Sequence, residues 1–470
     1  MRVGKTKNAN VNYLAKIVQI DKFSPHPDPE VNKLKCCTVD GFNIICSIDS
    51  QPGLYVYFPT SCCLNPNLLS FANLYKHSNM NANPNESGMF EDNGRVKAIK
   101  LRKCISEGFI LPVVILENFA MSVANKELQY SVNDEFDCIQ DGDKEFWVNK
   151  KYIPKQSQGN PGSGRVREGK QPKGLDKLVE DQFRFHYDTV IIKKCPNVIH
   201  PDDFIHLSSK VHGTSGISAY VLCNPDVNKW QVALTWITNN ILQLIAKLFG
   251  STVSASIDPI YDHLYSSRSV IKNRYYNKNV GNGFYGCDVW KYADDVIRPH
   301  LDKGMTAYYE ILGFLPNGGY IQKGYDYGYE QPKSESEYTY GKHFGIRIYR
   351  VTLTNVDGKV HEFSPREVQI WATNKGLIPV TEFYYGKAKD LYPDIPKENW
   401  NENFLNRLSN DSAFYMEMDS PECNNPVPHE GMVIKIDNMR SEAFKLKCFK
   451  FLNKEQKELD SGIENIEDNS

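Results

Sequence analysis

The stretch LSSKVHGTSG, residues 207 to 216, sets Lys210 after an apolar run (Phe204, Ile205, Leu207) and before a turn of small residues. A lysine in a loop is ordinarily a solvated charge. A lysine entering such a turn from a buried strand is a candidate nucleophile. It then needs partial burial and neighbouring cations that favour its neutral amine. One lysine does not decide between these readings, but five stretches downstream bear on the choice.

YSSRS places Arg268 after two serines, where a guanidinium can grip a phosphate or a ribose edge. Taken alone it is as well read as a surface arginine. AYYEILGF sets the carboxylate of Glu310 in an apolar strand, which calls for a partner. That partner is a ribose hydroxyl, a metal ion or a structural ion pair. HFGIRIYRV sets Phe344 beside an alternating strand, as a platform for a purine or as a core residue. HEGMVIKID sets Glu430 before a glycine and an apolar strand, and its oxygens suit a divalent ion. Met432 or Val433 could cover the other face of a base. FKLKCFKF puts Lys445 and Lys447 two residues apart, so both leave one face of a strand. Two cations there suit a triphosphate, unless that face is simply exposed.

In this order the six stretches resemble the collinear motifs of the covalent nucleotidyltransferases: RNA ligases, DNA ligases and mRNA capping enzymes. Lys210 aligns with the family's nucleophile in Lys-x-Asp-Gly. His212 departs from it, standing where most members carry Asp. Lys-x-His-Gly-Thr-Ser is similar to a variant within an RNA ligase branch whose OB domain precedes the ligase core. PHPDPEVNKLKCCTVDG, GLYVYFP, GRVKAIKLRKCISEGFILP and EDQFRFHYDT resemble that branch's N-terminal region.

The resemblance implies an ATP-dependent RNA ligase that joins 3′-hydroxyl and 5′-phosphate RNA ends, at duplex nicks, through a lysyl-AMP on Lys210. It implies Mg²⁺ or Mn²⁺ held by Glu310 and Glu430. Lys445 and Lys447 would steady the phosphates and Arg268 the ribose. Phe344 and Val433 would hold adenine. Arg95, Lys97, Lys100, Arg102 and Lys103, a basic run in the first domain, would contact RNA. The alternatives are a DNA ligase or GTP-dependent capping enzyme, which would need a C-terminal OB domain, and a non-catalytic RNA-binding protein with a ligase-like core.

These residues need elements to position them. The fold expected is α+β, with an N-terminal OB-like β-barrel and then an α/β ligase domain of ATP-grasp-like type built on antiparallel sheets. Short strands around Asp40-Gly41, a hairpin signal, and at GLYVYFP and GRVKAIKLRKCISEGFILPV place the barrel in 1–149. Residues 150–180 are rich in Gly, Pro, Ser and basic residues and read as a linker. The ligase domain is expected over 181–452 and an acidic, frayed or disordered tail over 453–470.

The chain of 470 residues is 41% hydrophobic, enough for real cores. Its 55 basic and 57 acidic residues leave no global charge to attract nucleic acid, so any such contact is local. Twelve cysteines without a CxxC pair argue against a zinc ribbon and for a reducing compartment, the cytoplasm or a host's cytoplasm. Gln231 to Gly250 has apolar residues at helical spacing among Thr, Asn, Gln and Lys. It reads as a packed amphipathic helix and not as a membrane span. A monomer is expected.

Overall fold

The computed structural model describes residues 1–7, 9–102, 104–154, 178–186, 189–225, 237–238, 258–272, 285–438 and 442–462. Most of the helix expected over 231–250 and most of the basic linker lie outside these residues.

In the N-terminal half, strand β1 (Ala15–Ile20) is followed by the hairpin β2 (Leu34–Val39) and β3 (Phe42–Ser47). The hairpin turns at Asp40, whose φ of 52° is one that Asp tolerates, beside Gly41. Strand β4 (Gly53–Phe58), the short hairpin β5 (Ile99–Leu101) and β6 (Cys104–Ser106), β7 (Phe109–Pro112), helix α1 (Val113–Ala124) and β8 (Glu135–Phe136) complete its main elements. The sheets are small. The largest has the order β7-β4-β1-β8, and β2-β3 and β5-β6 belong to separate sheets. No sheet closes into a barrel among the described residues, in contrast to the expected closed barrel.

The C-terminal half holds two five-stranded sheets. The first has β9 (Val190–Ile191), β10 (Phe204–Ser209), β16 (Glu382–Lys387), β17 (Gly431–Ile436) and β18 (Ala443–Lys447), in the order β9-β18-β17-β10-β16. The second has β11 (Thr214–Cys223), β12 (Ile260–Ser267), β13 (Met305–Gly313), β14 (Phe344–Thr354) and β15 (Val360–Glu362), in the order β12-β11-β13-β14-β15. All pairings within them are antiparallel except β9 with β18. The expected antiparallel architecture is therefore present. Helices α2 (Val289–Ile297) and α3 (Pro365–Asn374) pack on the second sheet, and α4 (Phe449–Asp460) follows β18 directly.

Period-two alternation sets the faces of the first sheet. Ile205 and Leu207 of β10, Met432, Ile434 and Ile436 of β17, and Phe444 and Leu446 of β18 enter one core. The residues between them, His206, Ser208, Val433, Lys435, Ala443 and Lys445, line a cavity on the other face. The second sheet closes that cavity with Ser215, Glu310, Tyr349 and Arg350.

Helix α4 takes up the first part of the tail that was expected to be frayed or disordered. Phe451, Gln456 and Leu459 are buried, so residues up to Asp460 are a docked helix. Apolar spacing drives this docking despite the local acidity. The two halves meet at α4 and at the segment around β9. There Asn12 Nδ2 donates to Thr189 O (3.1 Å), Gly41 N to Lys193 O (2.7 Å), and Lys193 pairs with Glu107 at 2.6 Å.

Candidate active site

The turn 210–213 carries the chain from the first sheet to the second. Lys210 N donates to Gly431 O (2.9 Å), which ties the turn to the start of β17. Gly213 N donates to Glu310 Oε1 (3.1 Å), which ties it to β13. A β-carbon at Gly213 would lie 2.4 Å from Ile311 O and 2.7 Å from Glu310 Cγ, so this close approach demands glycine. Gly431 has φ of 135° and would bring a β-carbon 2.1 Å from Leu446 O. Both glycines of the quoted motifs are therefore fixed by backbone packing.

Glu430 is buried at 2% exposure and is the hub of the site. Its Oε1 lies 2.7 Å from Lys210 Nζ and 3.4 Å from Lys447 Nζ. Its Oε2 lies 3.4 Å from His212 Nδ1. Lys447 also reaches Glu455 of α4 at 3.3 Å. The His212 ring packs edge-on against Tyr325 and Phe451, with centroids 4.8 and 5.0 Å away. This histidine thus buttresses Glu430 within an aromatic wall, a position that a carboxylate would make repulsive.

Lys210, Arg268, Glu310, Val433 and Lys445 all line the one cavity, and Glu430 with Lys447 stands directly behind Lys210. The structure thus brings together eight residues picked out in the sequence: these seven and His212. Phe344 is not among them. It is buried at 1% in the core of the second sheet, stacked on Tyr338 with centroids 4.8 Å apart and planes at 14°. The aromatic that faces the cavity from this strand is Tyr349.

Alternation from a buried Phe344 turns Tyr349 to the cavity, and a β-bulge adds Arg350 beside it. Tyr308 pairs with Arg350 and Tyr309 with Ile348, so Tyr349 is the extra residue. Before the bulge, Phe344, Ile346 and Ile348 face the core; after it, Val351 does. Tyr349 and Arg350 consequently both line the cavity. The Tyr349 hydroxyl meets Ser215 Oγ at 3.1 Å and His186 Nδ1 at 3.3 Å. Burial, with Glu310 nearby, raises its pKa and keeps it a phenol.

Lys435, Arg350 and Glu362 form a second charged group at the far end of the cavity. Arg350 Nε lies 2.7 Å from Glu362 Oε2, and Lys435 Nζ donates to Tyr349 O (3.0 Å). Burial lowers the Lys435 pKa and Glu362 opposes this. Lys435 follows the pattern of β17 and was visible in HEGMVIKID; Tyr349 follows the alternation once Phe344 faces the core, and only Arg350 needed the bulge.

Of the basic run, Arg95 is buried, its side chain fully enclosed. It donates to Gln456 O (3.2 Å), pairs with Asp460 (3.0 Å) and lies over the Tyr152 ring. Lys97 reaches the same Asp460 at 3.0 Å. These two bind α4, and neither the burial of Arg95 nor the pairing of Lys97 forms the exposed basic face expected. Lys100 is exposed on β5, Arg102 at the hairpin turn pairs with Glu30 (2.8 Å), and Lys103 lies outside the described residues.

The chemistry of the donor set fits a hard divalent ion of limited kind. Among the described residues no group of three His, Cys, Asp or Glu forms a metal cage. Glu310 lines the cavity and suits an ion held by one carboxylate, water and substrate phosphates, as Mg²⁺ commonly is, whereas Glu430 faces Lys210, Lys447 and His212 behind the cavity wall.

No protein-family model matches the chain, and no curated protein matches it in sequence. Solved structures do match its fold. An RNA ligase of Naegleria gruberi, as a lysine-to-alanine variant with ATP and Mn, superposes with a TM-score of 0.52 at 13% identity. The match covers 95% of this chain and 99% of that one. Another variant of that ligase, without ligand, gives 0.51 at 15% identity over 96% and 100% of the two chains. The same ligase with pyrophosphate gives 0.51 at 13% over 95% and 100%. The chain therefore shares the fold of that RNA ligase along nearly its whole length.

Proposed function

We propose that this protein is an ATP-dependent RNA ligase that seals 3′-hydroxyl to 5′-phosphate RNA ends, with Lys210 as nucleophile. The observation that carries the reading is the convergence of Lys210, Lys447 and His212 on buried Glu430, with Lys210 lining a cavity that Arg268, Glu310, Lys435 and Lys445 also line.

In the first step the Lys210 amine attacks the α-phosphorus of ATP. A phosphoramidate bond forms, pyrophosphate leaves, and the proton passes to solvent. Lys445 and Lys447 stabilise the charge that develops on the phosphates. Tyr349 and Val433 close on the two faces of adenine, and Arg268 holds the ribose edge. Glu310 would hold a divalent ion, which supplies charge neutralisation at the α-phosphate when bound. In the second step an RNA 5′-phosphate oxygen attacks the lysyl-AMP and frees Lys210. In the third, the RNA 3′-hydroxyl attacks the activated 5′-phosphate and AMP leaves. The chain's contribution is position and charge.

The N-terminal half, an OB-like module in this reading, holds the strand that ends in the 3′-hydroxyl. Exposed Lys100 and Arg102 are its candidate contacts. The enzyme acts as a monomer on nicked RNA duplexes, in RNA repair. Among the described residues no helix is long and apolar enough to cross a membrane.

Incubation with α-labelled ATP or GTP and Mn²⁺, followed by denaturing electrophoresis, tests the reading. Acid-labile label from ATP on wild type and none on Lys210→Ala is the expected result. Label from GTP would indicate capping chemistry, and no label from either would remove the enzyme.

A further inference from the structure

Resting on the adenylyltransferase reading, we infer that His206 is a specificity-determining residue: its buried Nδ1 accepts a hydrogen bond from the exocyclic amine of adenine. Its place in the sheet comes first. His206 and Ser208 leave β10 on the cavity face, opposite Lys435 and Val433 of β17. His206 precedes Lys210 by four residues, which is roughly 13 Å of strand. That distance is comparable with the length of a nucleoside monophosphate. A nucleotide with its α-phosphate at Lys210 and its base between Tyr349 and Val433 points the far edge of the base at His206.

The imidazole lacks what such an edge would supply. His206 is 4% exposed, and its Nδ1 has no hydrogen-bond partner among the described residues. A buried polar atom in that condition is rare and costly, and it marks a place where a ligand or water completes the site. Lys435, its neighbour across the strand, is already engaged with Tyr349 O.

The tautomer follows from a second contact. His206 Nε2 faces Glu382 Oε2 at 3.3 Å, and Arg366 holds the other oxygen of that carboxylate at 3.1 Å. An ionised carboxylate beside Nε2 favours the proton there, which leaves Nδ1 as a lone-pair acceptor. Burial, with Lys435 and Arg366 adding to it, pushes the imidazole pKa down to about 3, so the ring is neutral at working pH. Adenine presents an N–H donor from its exocyclic amine. Guanine presents O6 there, a lone pair against a lone pair, and purine without a substituent presents nothing.

The test compares self-labelling of the full chain by ATP and by purine riboside 5′-triphosphate, which is ATP without the amine. Wild type is expected to favour ATP about tenfold in kcat/KM, the worth of one buried hydrogen bond. His206→Ala should bring the two nucleotides within about twofold by raising KM for ATP alone. His206→Leu, closer in volume, serves the same purpose if the alanine variant does not fold. His206→Asn, which keeps an acceptor, should restore part of the preference. An undiminished preference in the alanine or leucine variant would show that the amine is read elsewhere and would overturn the inference. Labelling of wild type by neither nucleotide would instead overturn the adenylyltransferase reading.

Discussion

Lys210 and Lys447 share one carboxylate oxygen: their ammonium nitrogens lie 2.7 and 3.4 Å from Glu430 Oε1. The second lysine therefore competes for the group that holds the first. Removing Lys447 leaves Lys210 and Glu430 as a simple pair and tightens it, since no second cation divides the attraction. It also removes a charge aimed at the leaving pyrophosphate. We expect Lys447→Ala to slow lysyl-AMP formation by roughly 100-fold or more, with ATP affinity changed by less than about tenfold. Rapid-quench labelling beside equilibrium binding separates the two. Lys210→Arg, which keeps the charge against Glu430, should fold normally and take no label at all.

Tyr349 and Phe344 are five residues apart on one strand and should fail in different ways. Tyr349→Ala removes a cavity wall. Its expected effect is a rise in KM for ATP of about tenfold to a hundredfold, in line with the loss of one aromatic stacking contact. Tyr349→Phe keeps the ring and should stay within about threefold of wild type. Phe344→Ala opens a void beneath Tyr338 and should cost roughly 3–5 kcal/mol of stability. Chemical denaturation and nucleotide titration on the same three proteins would show the split. An unfolding midpoint unchanged in Phe344→Ala would contradict its placement in the core.

The contrast between these two aromatics shows what the sequence could and could not tell. Lys445 and Lys447 were legible because period-two alternation in β18 is regular and needs no tertiary knowledge. Glu310 was legible because a carboxylate among apolar strand residues demands a partner, and Glu430 because it precedes a glycine and an apolar strand. Tyr349 was missed because Phe344 was given the cavity face, whereas alternation from a buried Phe344 turns Tyr349 to the cavity; the one-residue bulge that also turns Arg350 there leaves no sign in composition. The N-terminal strands were legible as strands, but their sheet partners depend on contacts far apart in the chain. The acidic character of residues 453–460 concealed the apolar stripe of Phe451 and Leu459 that docks α4.

His206 also makes the fold sensitive to acid. Its folded pKa is near 3 and its unfolded value near 6.5, so the unfolded chain binds the extra proton first. Stability is then complete above about pH 6.5 and falls as pH drops toward 3. The slope from this residue is at most about 1.4 kcal/mol per pH unit. Urea unfolding at pH 7.5, 6.0 and 5.0 should show wild type losing more stability than His206→Gln across that window. Equal losses in the two proteins would mean that the imidazole is hydrated and titrates normally.

Arg95 and Lys100 lie five residues apart in the same basic run, and the structure gives them opposite jobs. Arg95 is enclosed between Tyr152 and α4, where it pairs with Asp460 and bonds to Gln456 O. Lys100 points outward from β5. Arg95→Ala should therefore cost about 2–4 kcal/mol, because it strips a buried donor from its partners. Arg95→Ala and Asp460→Ala should be non-additive in combination. The salt dependence of RNA binding should be unchanged in Arg95→Ala. Lys100→Ala should leave stability within about 0.5 kcal/mol and weaken RNA binding evenly across sequences. It should also reduce the slope of log affinity against log salt by about one. The reverse pattern, a lower salt slope in a fully stable Arg95→Ala protein, would place Arg95 on the RNA and undo the clamp between α4 and the N-terminal half.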